Sequence, residues 1–214
     1  MAKQRVLILN SGGVKSLVAT ASRAEAAQVC LMFVDDGRPS TRYGHEAYMQ
    51  QAEHFEVSQR FFMSVGPTWL AELNAQREVI DGQRSPLGAV QLLMAGLDAA
   101  IRSRCERVVW PICLGHDFDQ LAWLTETIQL VQHQLALQNH EAVQVDLPFV
   151  ELELPEVLRL GAQLDVPWEM ARTCRADAEK ACGQCRWCRQ RATDFVIAGV
   201  DDPMSERMLR ATDS

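Results

Sequence analysis

Residues Val6–Ser16 read VLILNSGGVKS. The unbroken apolar run Val6–Leu9 predicts a strand buried on both faces. Asn10 and Ser11 end the run, Gly12 and Gly13 turn the chain, and Leu17, Val18, Ala19 and Ala21 carry a helix predicted over 14–27. A strand that turns through Ser-Gly-Gly into a helix leaves bare N–H groups at the positive end of that helix, which makes a cradle for phosphate. The two glycines are expected to permit positive φ and to lack a Cβ that would hold a phosphate away. A plain strand-turn-helix with a tight Gly-Gly turn shares this pattern.

Working outward, VCLMFV at Val29–Val34 predicts a second buried strand. Asp35, Asp36, Gly37, Arg38 and Pro39 follow at its C-terminal end, where open α/β sheets bind ligands. Asp36 could reach a ribose hydroxyl or a metal, or serve only as turn chemistry. A helix is predicted over 43–56 with Tyr43, Ala47 and Phe55 inward, a strand over 57–65, and a loop over 74–85. Pro86 opens a further helix, with Leu87, Val90, Met94, Leu97 and Ile101 expected to face the core. Val108–Ile112 predicts a fourth strand interrupted by Pro111, and LGHDFD, Leu114–Asp119, its end loop. Leu121, Leu124, Ile128, Val131 and Leu135 mark an amphipathic helix. A short strand over 143–150 and a helix from Pro155 complete the alternation. The expected fold is therefore α/β, a doubly wound, mostly parallel sheet.

The chain has 214 residues, 48% of them hydrophobic, enough for a sizeable core. No apolar run approaches a membrane span, and the first apolar run is too short for a signal peptide. The net charge of −7 argues against a chain-wide nucleic-acid footprint and leaves room for a local basic patch. Seven cysteines, an odd count, suit a reducing cytoplasm.

Cys174, Cys182, Cys185 and Cys188 are spaced x7, x2, x2, and the last lies where a helix begins. Two-residue gaps let a turn aim successive sulfurs at one point, and four thiolates suit a closed structural Zn²⁺ site. An iron–sulfur cluster or reduced thiols fit the same spacing. Arg172, Arg175, Lys180, Arg186, Arg189 and Arg191 would offset the surplus negative charge of such a site. Cys30, Cys105 and Cys113 are expected in the core.

The loop Ser11, Gly12, Gly13, Ser16 resembles the PP-loop of the ATP pyrophosphatase superfamily, Ser-Gly-Gly-x-Asp-Ser, with Lys15 in the place of its aspartate. Together with the cysteines it resembles the 7-cyano-7-deazaguanine synthase family of the queuosine pathway (QueC/ExsB). Cys182, Gly183, Cys185, Cys188 and Arg191 match that family's Cys-Gly-x-Cys-x-x-Cys-x-x-Arg run; Arg159-Leu160-Gly161, Val166-Pro167 and Cys174 precede it, and Ala198-Gly199-Val200 and Asp202-Pro203 follow. Arg84 stands where the family has an Arg-Asn pair, with Ser85 in place of the asparagine. PICLGHDFD, Pro111–Asp119, lacks the family's substrate-side stretch.

The resemblance implies an adenine nucleotide alpha hydrolase-like nucleotide-binding domain over 1–165 and a four-cysteine zinc-binding segment over 166–214. It implies an ATP-dependent ligase that adenylates a deazapurine carboxylate and joins it to ammonia, with Zn²⁺ structural and Mg²⁺ on the phosphates. Ser11, Gly12, Gly13, Val14, Lys15, Ser16 and Arg84 would then hold phosphate. Asp36, His116 and Asp117 are the substrate-side candidates, Asp117 or Asp119 being alternatively the cap of the next helix. A protonated lysine cannot ligate Mg²⁺; Lys15 could pair with phosphate directly or replace the ion. The departures also allow a non-catalytic relative that binds a nucleotide or nucleobase as a partner or sensor. The implied partners are a nucleotide, a deazapurine and a second copy of the chain, with neither membrane nor nucleic acid.

Overall fold

The structure, a computed structural model, describes residues 3–35, 40–64, 88–138 and 143–204. Five strands form one parallel sheet: β1 Gln4–Leu9, β2 Ala27–Asp35, β3 Gln59–Ser64, β4 Arg107–Val109 and β5 Gln144–Asp146, in the order β3-β2-β1-β4-β5. This is the doubly wound order, with the reversal between β1 and β4. Among the described residues, six α-helices accompany it: α1 Val14–Ala24, α2 Thr41–His54, α3 Gly88–Arg102, α4 Phe118–Ala136, α5 Leu154–Gln163 and α6 Arg186–Ala198.

Strand alternation sorts the two cores. Val6 and Ile8 of β1 join Leu17 and Val18 of α1, Tyr48 of α2, Leu158 of α5 and Phe195 of α6 on one face. Leu7 and Leu9 join Leu97 of α3 and Val131 of α4 on the other. β1 and β2 are covered on both faces, which is why their sequences run apolar without alternating.

Three local expectations are corrected. Met94 of α3 points outward at 44% exposure, and the inward stripe runs through Leu93, Gly96, Leu97 and Ala100. A Cβ on Gly96 would crowd Leu9 Cδ2 at 2.9 Å, so the helix lies close on β1 and turns its bulkier side chain away. β4 stops at Val109, ahead of Pro111, which has no N–H for a ladder, although Trp110 still donates to Asp146 O at 2.9 Å. In α2 the buried residues are Ala47, Tyr48, Gln51 and Ala52; Tyr43 is half-buried, with the Arg42 and Arg172 guanidinium groups 4.7 and 4.8 Å from its ring. The loop expected at 74–85, and Leu87, lie outside the described residues.

Candidate functional site

The glycine loop follows β1 and the Pro111–Asp119 segment follows β4, so both flank the topological switch point where doubly wound sheets bind ligands. Gly13 is the N-cap of α1 and supplies no side-chain cap, so the first-turn amides have no carbonyl within their own helix to receive them. Ser16, 3% exposed, is turned inward: its Oγ accepts from the Ser11 N–H at 3.1 Å and lies 3.3 Å from Ser11 Oγ. Asn10 Oδ1 accepts from the Gly12 N–H at 2.7 Å.

The two glycines do different work. Gly12 has φ +72°, and a Cβ there would overlap the carbonyl oxygen of Gly44 in α2. Its missing side chain admits a helix, where the sequence had suggested room for phosphate. Gly13 has φ −88°, is half-buried, and a Cβ would meet only Ser11 Oγ at 3.3 Å and Arg172 O at 3.7 Å.

A buried amide network missed by sequence reasoning fixes this loop. Asn10, 1% exposed, donates through Nδ2 to Gln51 Oε1 at 2.9 Å and Thr20 Oγ1 at 3.3 Å. Gln51, fully buried, donates through Nε2 to Gly12 O at 3.1 Å and Met170 O at 3.0 Å. Gly12 O also accepts from the Arg172 N–H at 2.8 Å. The only sequence signal was a polar residue at the strand end and another within the helical stripe.

Lys15, half-buried, places its charge near Cys113. Burial pushes the Cys113 thiol up to about 11; Lys15 opposes this, while Glu153, Asp194 and Glu156 add to it. Lys15 and the three carboxylates thus act on the same thiol with opposite sign. Asp194, 5% exposed, accepts from Gln190 Nε2 at 2.9 Å, and its Oδ2 has no hydrogen-bond partner; burial raises its pKa, the Gln190 bond opposing and Glu153 adding. His116 and Asp117 are exposed. Asp117 caps α4, accepting from the Gln120 N–H at 3.1 Å, and the His116 ring lies 6.4 Å from that of Phe118. Asp36 and Arg84 lie outside the described residues.

The four cysteines converge. Their sulfurs all lie within 4.8 Å of one another, with Cys174–Cys182 at 3.6 Å, Cys174–Cys185 at 4.0 Å and Cys185–Cys188 at 3.5 Å. Gly183, φ +70°, turns the chain between Cys182 and Cys185; Cys185 caps α6 and Cys188 sits in its first turn. Amides of Ala176 and Cys182 donate to Cys174 Sγ, and that of Cys185 to Cys182 Sγ, at 3.3–3.4 Å. Burial raises the Cys185 thiol, but the amides of Arg175 and Cys188 and the neighbouring thiols outweigh it and hold it at about 6. A metal ion held tetrahedrally by thiolates about 2.3 Å away needs sulfurs about 3.8 Å apart, so the donor set fits one.

Arg191 locks this knot to the rest of the chain. At 2% exposure it forms a two-pronged pair with Asp202, Nε to Oδ2 at 2.9 Å and Nη2 to Oδ1 at 2.8 Å. It also donates to Ala171 O at 2.6 Å and Trp168 O at 3.1 Å.

Fold and site define a doubly wound α/β protein with a glycine turn after β1 at the switch point and a C-terminal four-cysteine knot that could hold a metal. Within that class the chain resembles the 7-cyano-7-deazaguanine synthases and diverges from the loop motif at Lys15. Residues 122–199 match the family described as "Queuosine biosynthesis protein QueC". The 7-cyano-7-deazaguanine synthase of Chlorobaculum tepidum is 25% identical over 94% of this chain and 95% of its own length. That of Trichodesmium erythraeum is 41% identical over 30% of this chain and 29% of its own. A solved structure, the U34-tRNA thiolase NcsA from Methanococcus maripaludis with its 4Fe–4S cluster, matches with a TM-score of 0.49 at 15% identity, over 91% of this chain and 64% of that one. No helix among the described residues is long and apolar enough to cross a membrane.

Proposed function

We propose that the chain is an ATP-dependent synthase of the 7-cyano-7-deazaguanine type, which activates a deazapurine carboxylate as an adenylate and joins it to ammonia. The observation that carries this reading is the placement of an uncapped, glycine-led helix N-terminus at the switch point, braced by the lead-in to a four-thiol knot. The match to synthases over nearly the whole chain supports it. In the proposed reaction a carboxylate oxygen attacks the α-phosphorus of ATP and pyrophosphate leaves. Ammonia then displaces AMP from the acyl-adenylate to give the amide; the amide oxygen attacks a second ATP, pyrophosphate leaves, and loss of AMP and the remaining N–H proton gives the nitrile.

Residues 1–165 would bind nucleotide and 166–214 would form the metal segment. The amides from Gly13 to Ser16 would meet charge on the departing pyrophosphate. Gly12 and the inward Ser16 hydroxyl would hold the loop's shape, and Ser11, with Lys15 and Arg84, would complete the phosphate side. Asp36, His116 and Asp117 would serve the substrate side. Cys174, Cys182, Cys185 and Cys188 would hold a single structural Zn²⁺; the sulfur spacing supports one ion over a cluster. Mg²⁺, when bound, neutralises phosphate charge, and no ligand for it comes from position 15.

The test supplies ATP, Mg²⁺, ammonium and 7-carboxy-7-deazaguanine to the zinc-loaded protein. AMP, pyrophosphate and the nitrile are expected. ATP binding with neither AMP nor nitrile would instead favour a nucleotide-binding relative, a reading that the lysine at position 15 supports.

A further inference from the structure

We propose that Gln51 is the positioning residue of the glycine loop and that it carries the state of the cysteine knot to that loop. The proposal rests on the loop's being the anion cradle, and adds the group that sets its shape. A helix N-terminus binds an anion only when its amides point at one spot, so whatever fixes the turn fixes the site.

Three chain segments meet at one carboxamide. Its oxygen holds Asn10, which in turn holds the Gly12 N–H; its nitrogen holds Gly12 O and Met170 O. Two residues past Met170, the Arg172 N–H donates to the same Gly12 oxygen. Two residues beyond that stands Cys174, buried at 4% and within 4.0 Å of two other knot sulfurs. The path from a knot sulfur to the loop is thus short, covalent from 170 to 174, and hydrogen-bonded through the fully buried Gln51. Closing four thiolates on one ion orders the lead-in from 170 to 174. An ordered lead-in presents Met170 O and the Arg172 N–H at fixed positions, and Gln51 converts those positions into one conformation of Gly12. Because the coupling is an equilibrium between two sites, an anion on the loop tightens metal binding by the factor by which metal tightens anion binding.

The side chain itself is well chosen for the task. Leucine or methionine of similar volume would fill the space, take a partner from the Asn10 amide and from Met170 O, and leave Gly12 O with the Arg172 N–H; glutamate could accept from Asn10 but could donate to neither carbonyl while ionised.

The test is hydrogen exchange on the full chain, with and without Zn²⁺, read on peptides covering 10–16 and 174–188. Zinc is expected to slow exchange of both in the parent, by about tenfold or more in the loop. In Gln51→Met, zinc should still protect 174–188 while most of the protection of 10–16 is lost. Loop exchange indifferent to zinc in the parent, or unchanged coupling in Gln51→Met, overturns the proposal. Cys182→Ser, which alters an exposed ligand and leaves the carboxamide in place, covers the case of a variant that does not fold. Its loop should exchange at the zinc-free rate, and zinc-dependent loop protection persisting without knot protection refutes the coupling. Pyrophosphate affinity, measured in parallel, should fall about tenfold in Gln51→Met, roughly the worth of one or two hydrogen bonds. A parent that binds no pyrophosphate would sink the cradle reading, while the exchange data still decide the coupling.

Discussion

Gly12→Ala and Gly13→Ala are adjacent, chemically identical changes with very different expected outcomes. At Gly12, alanine must adopt φ +72°, which costs an L residue about 1–2 kcal/mol. Its methyl would also overlap Gly44 O and stand 3.1 Å from Ala47 Cβ, so α2 has to move off the loop. Overpacking against backbone costs roughly 1–3 kcal/mol more, for a total of about 2–5 kcal/mol. In a chain of this length that is a fall in melting temperature of roughly 4–20 °C. At Gly13 the backbone is already extended, φ −88° and ψ 175°, and a methyl approaches only Ser11 Oγ at 3.3 Å. The lower entropy of the unfolded chain offsets that crowding, so the change in stability should stay within about 1 kcal/mol. The methyl would nevertheless stand on the half-buried side of the loop and lower pyrophosphate affinity. Urea denaturation of the two zinc-loaded variants, with pyrophosphate titration of each, separates the roles. Equal stability of the two, or a Gly13→Ala variant with parental pyrophosphate affinity, would refute this division of labour.

Other consequences are open to measurement. Arg191→Met leaves the Asp202 carboxylate buried without its guanidinium and should destabilise the chain by about 3–5 kcal/mol in urea, with Asp202→Asn in the same chain recovering part of the loss. Asp194→Asn should raise the melting temperature at neutral pH. Burial lifts the Asp194 pKa, so the folded state holds the proton more tightly and parental stability falls as pH rises from the ordinary aspartate value through the lifted one. The advantage of the asparagine should therefore shrink as the pH is lowered toward 4, roughly the ordinary value. Zinc titration with elemental analysis should give about one ion per chain, and Cys188→Ser, which removes a ligand only 2% exposed, should abolish stable loading; a stoichiometric iron–sulfur chromophore would refute the single-ion reading.

How much could be read beforehand follows from where the information sits. VLILNSGG announces a buried strand and a tight turn because both depend on neighbouring residues, and the x2, x2 cysteine spacing announces convergence for the same reason. Gly44, Gln51 and Arg172 did not announce themselves, because each acts on residues far along the chain. The glycine pair shows the limit well: its composition suggested phosphate room, but Gly12 is glycine because a helix from another part of the chain lies against it. Met94 fails differently, since helical spacing alone does not choose between adjacent stripes when the strand beneath needs the smaller residues. Arg191 could be matched to a family motif, yet its role as the tie between α6, Trp168, Ala171 and Asp202 needed the coordinates.

The brace on the glycine loop also carries a timetable. Met170 and Arg172 are made more than a hundred and fifty positions after residues 4–16, at a translation rate of about 5–20 residues per second. Strand and turn can therefore exist for many seconds of synthesis before the loop receives the partners that set its shape. A chain terminated upstream of residue 170 would carry all of β1 to β5 and still lack the Met170 and Arg172 contacts that complete the brace, so the loop's final shape waits for those residues.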